Sequence, residues 1–280
     1  MFLVLGSSGY VGNKICQYLT YQKIQFDTFS LRFNIGLIDK LDHICRTKNI
    51  QGIINCTAYT GDTSINDCEI NVEKTKDANV YCVWNIVDVC KKYNIPLVHV
   101  STGCIFDGDN NYTEEDVPFF EESVYSKTKI EAEKIVNSYH NTYICRLRLP
   151  FDFVDHPKNI LSKMIKFNKV GDQKNSITNL NDFALICVEL INQKFPFGIY
   201  NVVNSGSISM NEIKEILFNE FQMGQSSWEV IDSNSDIFKN KANTTLSSTK
   251  IYQSGFILDE VRDSIRKCLT NWNSQDNIFW

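Results

Sequence analysis

Phe2-Leu-Val-Leu-Gly6-Ser-Ser-Gly9-Tyr-Val-Gly12 stands at the head of the 280-residue chain, and its reading decides the fold. The apolar run Phe2 to Leu5 reads as a buried strand, and Val11 to Tyr21 carries helical spacing, so the order is strand, turn, helix. Glycines at 6, 9 and 12 allow a tight turn, close approach of the backbone to a pyrophosphate, and close packing of helix on strand. The helix N-terminus then faces phosphate oxygens with free N–H groups. A glycine triplet also occurs in ordinary strand–helix turns; its place between strand and helix favours the dinucleotide reading.

Working outward, Gln25 to Phe29, Gly52 to Asn55, Leu97 to Ser101 and Tyr143 to Arg148 read as further strands. Between them Leu37 to Thr47, Asn71 to Tyr93 and Tyr125 to Tyr139 read as helices, the last preceded by Glu121, Glu122 and Ser123 as capping residues. Strand and helix in alternation predict an α/β fold of the Rossmann type, a doubly wound parallel sheet. The alternation breaks after Pro150, where a loop and a helix fill Phe151 to Gln173, Gly198 to Val203 returns as a strand, and Met210 to Phe221 and Leu258 to Leu269 are helical. The expected organisation is a dinucleotide domain over 1–150 with a returning segment near 175–204, and a smaller substrate-binding lobe from 151–174 and 205–280.

Composition excludes other classes. A net charge of −5 with no long Lys/Arg cluster argues against nucleic acid as a partner. Met1 leads into the first strand without a basic leader, and no apolar run approaches the ~18 residues of a membrane span, so a cytoplasmic protein is expected. The ten cysteines form no C-x-x-C pair and no grouping with histidine, so they read as reduced thiols with no metal site.

The cofactor contacts follow from position. An NAD site places an acidic residue about 20 residues past the glycines, whereas this chain offers Ser30, Leu31 and Arg32 after its second strand. Arg32 either meets the 2′-phosphate of NADP or is a solvated loop residue. Asn55-Cys-Thr57-Ala58 ends a buried strand in a small-residue turn that lets backbone approach the adenosine side. Asn79, on the next helix, reads as structural support.

Tyr125-Ser-Lys-Thr-Lys129 sets a phenol and an ammonium four residues apart, on one helix face. A phenol of pKa ~10 serves poorly near neutrality, and a cation beside it favours the phenolate, while Tyr125 and Lys129 also fall among the cofactor contacts, Lys129 holding the nicotinamide ribose. Combined with a glycine-rich first turn, the pair points to a short-chain dehydrogenase with hydride chemistry. Thr102 follows a strand at the carboxyl edge, where its hydroxyl can bind a substrate carbonyl or serve as a cap. Cys104 lies two residues on, where position distinguishes it from the other cysteines.

The motifs His99-Val-Ser-Thr-Gly-Cys-Ile-Phe-Asp107, Tyr125-Ser-Lys-Thr-Lys129, Arg146-Leu-Arg-Leu-Pro150 and Pro157-Lys-Asn-Ile-Leu-Ser-Lys163 carry a resemblance, extended by Asn175-Ser-Ile-Thr178 and Gly198-Ile-Tyr-Asn201. The chain resembles the 4-keto-6-deoxy-sugar 3,5-epimerase/4-reductases, above all the UDP-4-keto-6-deoxyglucose enzymes that form the C-terminal part of plant UDP-rhamnose synthases. The resemblance implies an extended short-chain dehydrogenase fold, NADPH as cofactor, and one site that epimerises and then reduces UDP-4-keto-6-deoxyglucose to UDP-rhamnose. It places Thr102, Tyr125 and Lys129 in the reductase set, and Cys104 with Lys163 as the epimerising pair. Asn159 is implied in contact with the substrate's phosphates or base, and the helices Asn71 to Tyr93 and Tyr125 to Tyr139 in a homodimer. The stretch from Cys104 to Tyr125 is shorter than in the plant proteins, and a separate 4,6-dehydratase is expected upstream. Two other readings stay open: a reductase alone, of the dTDP-4-dehydrorhamnose type, and a non-catalytic regulatory subunit that binds dinucleotide.

Overall fold

In the computed structural model, Phe2 and Val4 turn to one side of a sheet while Leu3 and Leu5 turn to the other, and all four are fully buried. Side chains alternate across a strand, so a strand apolar on both faces must be covered on both. Phe2, Val4, Ile54, Val98, Tyr143 and Cys145 pack under the helices Tyr10–Tyr21 and Leu180–Asn192. On the opposite face Leu3, Leu5, Ile53, Leu97 and Ile144 pack under the helices Leu37–Thr47, Cys82–Tyr93 and Val124–Asn137. The structure describes residues 1–29, 37–62, 64–232, 235 and 241–274.

Among the described residues the main sheet has six parallel strands: Phe2–Leu5, Phe26–Phe29, Gly52–Asn55, Leu97–Thr102, Thr142–Leu147 and Gly198–Asn201. Numbered along the chain, their order across the sheet is 2-1-3-4-5-6. The order reverses between Phe2–Leu5 and Gly52–Asn55, and ligands of doubly wound sheets bind outside the carboxyl ends at that switch. The glycine turn and the Asn55 turn both leave the sheet there. The α/β fold expected from the alternation is the observed one.

A third apolar cluster lies beyond the sheet, where Phe151, Leu161, Ile177, Ile208, Ile213, Leu217, Val261 and Ile265 pack together. Three short parallel strand pairs not foreseen in the sequence tie distant segments: Gly108–Tyr112 with Thr244–Leu246, Lys169–Gly171 with Glu229–Ile231, and Pro150–Phe151 with Thr178–Asn179. The helix expected over Asn71 to Tyr93 is interrupted. It runs as Val72–Lys76, a π turn over Asp77–Tyr81, and Cys82–Tyr93. The buried Asn79 side chain sits in that turn, accepting from Tyr59 N at 2.7 Å and donating to Tyr59 O at 3.1 Å and Thr128 Oγ1 at 3.1 Å. These bonds fasten the interrupted helix to the helix that carries Tyr125, which is the kind of place where π turns gather.

One ion pair is fully enclosed between that helix and the sheet. Arg146 donates to Glu133 through Nε at 3.0 Å and Nη2 at 2.8 Å, and Ser101 Oγ donates to the same carboxylate at 2.5 Å. Removing one partner strands a buried charge, so Glu133→Ala is expected to cost about 3–5 kcal/mol of stability. Chemical denaturation is the check; a loss under about 1 kcal/mol, the range of surface pairs, contradicts it.

Candidate active site

The glycine turn has little room for side chains. Gly6 adopts φ +75°, and a Cβ there would lie 2.9 Å from the Cys56 carbonyl carbon; a Cβ on Gly12 would lie 2.3 Å from Gly6 O. Gly9 caps the helix Tyr10–Tyr21 in an extended conformation without a side-chain cap bond, and the first turn holds no acidic residue. The helix therefore presents uncapped N–H groups and its positive end at the switch point, which fits a dinucleotide pyrophosphate. Across the crevice, Asn55 is fully buried, and its Oδ1 accepts from Thr57 N at 3.0 Å and Thr57 Oγ1 at 2.5 Å. Its side chain shapes the turn through Thr57 and Ala58 and leaves the backbone to approach a ligand. Ser30 and Arg32, the expected 2′-phosphate contacts, lie outside the described residues.

The segment after Leu97–Thr102 turns sharply. Thr102 Oγ1 accepts from Cys104 N at 3.1 Å and caps the single 3₁₀ turn Gly103–Ile105. The next helix is pinned to it: Ser123 caps Ser126 N at 3.1 Å, Ser126 Oγ donates to Cys104 O at 2.7 Å, and Glu69 accepts from Val124 N at 2.7 Å. Of the expected caps, Ser123 is the one used. Tyr125, on the first turn of Val124–Asn137, thereby meets both Thr102 and Cys104. Burial pushes its phenol well above the ordinary tyrosine range and the Cys104 charge adds to this, while a hydrogen bond with Thr102 and the Arg148 charge oppose it. A phenol so placed stays protonated near neutrality and is set to donate.

Lys129 lies about one turn beyond Tyr125 on the same helix. Its Nζ turns to the sheet, donating to Val100 O at 2.9 Å and meeting His99 Nε2 at 3.3 Å. Burial lowers its ammonium to about 8. Desolvation disfavours a charge, and here it outweighs the upward pull of Glu133, Cys56 and Cys104.

Asn159 requires a correction. It is fully buried, donates through Nδ2 to Asp152 O at 2.7 Å and Val154 O at 2.8 Å, and caps the helix Ile160–Lys166 by accepting from Leu161 N at 3.0 Å. Its side-chain polar atoms are committed to the chain, so it shapes the loop and caps the helix and is not a free group facing a ligand. Lys163, on that helix, is half-buried and forms no hydrogen bond or ion pair with Cys104. Its ammonium is pushed down by burial and then by the charges of Lys158 and Lys241.

The Cys104 sulfur has another cationic neighbour. Arg148 Nη1 donates to Sγ at 2.8 Å, while Nη2 donates to Asn175 Oδ1 at 2.7 Å and to Ala242 O. Arg148 is buried, and among the described residues no carboxylate pairs with it. Motif reading passed over it because its surroundings come from residues 27 and 94 positions away. The one available signal was its place in Arg146-Leu-Arg148, directly after a buried strand.

Comparison with known proteins agrees with this geometry. Residues 1–274 match the family described as the RmlD substrate binding domain. The chain is 27% identical over 291 aligned residues to a bifunctional dTDP-4-dehydrorhamnose 3,5-epimerase/dTDP-4-dehydrorhamnose reductase of Arabidopsis thaliana, covering 99% of this chain and 95% of that one. It is 31% identical to a trifunctional UDP-glucose 4,6-dehydratase/UDP-4-keto-6-deoxy-D-glucose 3,5-epimerase/UDP-4-keto-L-rhamnose-reductase of the same plant, covering 77% of this chain but 33% of that protein. Among solved structures, the L780 UDP-rhamnose synthase of Acanthamoeba polyphaga mimivirus superposes with a TM-score of 0.85 at 21% identity, over 96% of this chain and 98% of that one. A Bacillus anthracis dTDP-4-dehydrorhamnose reductase, solved in complex with NADP, gives 0.81 at 21% identity over 97% of each chain. With the glycine turn at the sheet's switch point and Tyr125 gathered against Thr102 and Cys104, the chain belongs to the RmlD substrate binding domain family.

Proposed function

We propose that this protein is a bifunctional 3,5-epimerase/4-reductase that converts UDP-4-keto-6-deoxyglucose to UDP-rhamnose with NADPH. The observation that carries the reading is the meeting of Thr102, Cys104 and Tyr125 at the carboxyl end of one strand, with Arg148 on the cysteine sulfur. The Arabidopsis relative combines both activities in its name and is matched over nearly the whole of both chains. The backbone at Gly6, Gly9, Gly12, Thr57 and Ala58 would hold the cofactor, which supplies a hydride to C4 when bound.

The rest is proton movement by the chain's own residues. A ketone at C4 acidifies the hydrogens on C3 and C5, and Cys104 as an anionic sulfur removes them one at a time, with Arg148 as counter-charge. Inversion needs a second group that returns the proton from the other face. Lys163 takes that part, since its crowded, half-buried ammonium releases a proton more readily than an ordinary lysine. Thr102 orients the C4 oxygen, and Tyr125 protonates it as the alcohol forms. A reductase acting alone is the second reading, favoured by a dTDP-4-dehydrorhamnose reductase of Aggregatibacter actinomycetemcomitans that is 25% identical and covers 90% of this chain.

The test is turnover of UDP-4-keto-6-deoxyglucose with NADPH, compared with the dTDP and GDP sugars. NADPH oxidation with the UDP sugar and formation of UDP-rhamnose support the reading, and no oxidation with that sugar overturns it. The cofactor site has its own check. Gly12→Val drives a side chain into Gly6 O and is expected to weaken NADP binding more than about tenfold, equal to about 1.4 kcal/mol. Gly9→Ala, whose Cβ would lie 3.3 Å from the same oxygen, is expected to retain most of it; equal loss in a fluorescence titration contradicts the account.

A further inference from the structure

His99 lies fully buried in the strand Leu97–Thr102 and touches a different side chain through each ring nitrogen. Asn55 Nδ2 stands 3.1 Å from Nδ1, and Lys129 Nζ stands 3.3 Å from Nε2. The orientation of Asn55 is fixed by its neighbour. The Thr57 backbone N–H can only donate, and it meets Asn55 Oδ1 at 3.0 Å, with Thr57 Oγ1 donating to the same oxygen at 2.5 Å. Nδ2 therefore faces the histidine and donates, and Nδ1 of His99 accepts.

Burial holds His99 well below the ordinary histidine range, so the ring carries one proton. With Nδ1 accepting, that proton is on Nε2 and points at Lys129 Nζ. An ammonium has three donors and no lone pair to receive it. Moving the ring proton to Nδ1 transfers the conflict to Asn55 Nδ2, and flipping Asn55 sets its amide group against the Thr57 N–H. One arrangement satisfies every bond of the chain Thr57, Asn55, His99, Lys129. In it Lys129 is a free amine that accepts from His99 Nε2–H and donates to Val100 O.

We propose that His99 is a positioning residue that selects the free-amine form of Lys129 by donating Nε2–H to it, so that Lys129 exchanges a proton during turnover and is no fixed cation. The inference rests on the proposed reading of this pocket as a reductase site, since Lys129 follows Tyr125 by about one turn of the same helix. The other groups facing Lys129 are Glu133 on its own helix, Cys56 after the strand Gly52–Asn55, and Cys104. All three pull the ammonium up, yet burial brings it down to about 8, in the direction the hydrogen-bond polarity requires. Glu133 is also spent on Arg146 and Ser101, which leaves it a poor partner for Lys129.

The test is nitrogen-15 NMR on the full chain, alone and with NADP bound. Lys129 is expected to titrate with a midpoint near 8, and at a pH above that midpoint His99 is expected in the Nε2–H tautomer. His99→Gln sets a carbonyl oxygen near the place of Nε2 and offers an ammonium an acceptor. It is expected to raise the Lys129 midpoint by about one pH unit, a tenfold gain in proton affinity, and to move the matching limb of the kcat/KM pH profile with it. An Nδ1–H tautomer overturns the proposal, as does an unmoved midpoint in a His99→Gln protein that still binds NADP. If that variant does not fold, the wild-type tautomer decides alone, Nε2–H supporting and Nδ1–H overturning. No NMR readout needs the sugar, so failure of the epimerase/reductase reading would show separately, as absence of turnover.

Discussion

Tyr125→Phe is expected to slow NADPH-dependent reduction of UDP-4-keto-6-deoxyglucose by about 10²–10⁴-fold, the range of a single general acid. The substitution removes one oxygen and leaves the ring in its packing beside Cys68, Tyr59 and Ala78. Stability and NADP binding should therefore change little. Burial raises the Tyr125 phenol, so it is protonated at neutral pH, and no loss of reduction is expected from its ionisation until the solution is strongly alkaline. Deuterium exchange at C3 and C5, which precedes reduction, should persist in the variant. Stopped-flow oxidation of NADPH is the measurement, and full reductase activity in Tyr125→Phe would remove the phenol from the mechanism.

Cys104→Ser is expected to have the complementary effect. Exchange of the C3 and C5 hydrogens with solvent should fall by about 10²–10⁴-fold, since a hydroxyl in place of the sulfur is a far poorer base near neutrality. Reduction of a sugar already epimerised should survive, because Thr102 and Tyr125 are untouched. Arg148→Met should reproduce the loss of exchange, for it removes the cation held 2.8 Å from the sulfur. If Cys104→Ser keeps full turnover of the unepimerised sugar, the chain is a reductase alone.

Much of this was legible from local sequence. The strands Phe2–Leu5 and Gly52–Asn55 and the helices Leu37–Thr47 and Met210–Phe221 fall where apolar periodicity puts them, because burial on one or two faces dictates that periodicity. The glycine turn was legible for a similar reason, since close backbone contact demands a missing side chain. The π turn at Asp77–Tyr81 was not. It depends on Asn79 reaching Tyr59 and Thr128, contacts no local window contains. The strand pair Gly108–Tyr112 and Thr244–Leu246 joins segments more than a hundred residues apart, and neither has an apolar pattern of its own length to announce it.

At the site, residue types were easier to read than their partners. Tyr125 stands beside Cys104, and four-residue spacing could not show that Lys129 would bond to Val100 and His99. Asn159 was set against the substrate by resemblance alone. The structure spends it on a helix cap and two carbonyls. Arg148 was silent because its function comes from a sulfur, an amide and a carbonyl supplied by three distant segments.

The central claim is that one set of residues first moves protons at C3 and C5 and then delivers one to the C4 oxygen. Incubation of the purified chain with UDP-4-keto-6-deoxyglucose and NADPH in heavy water tests it in a single tube. The account predicts UDP-rhamnose carrying deuterium at both C3 and C5, formed as NADPH is consumed. A reduced product with no deuterium at either carbon would contradict it.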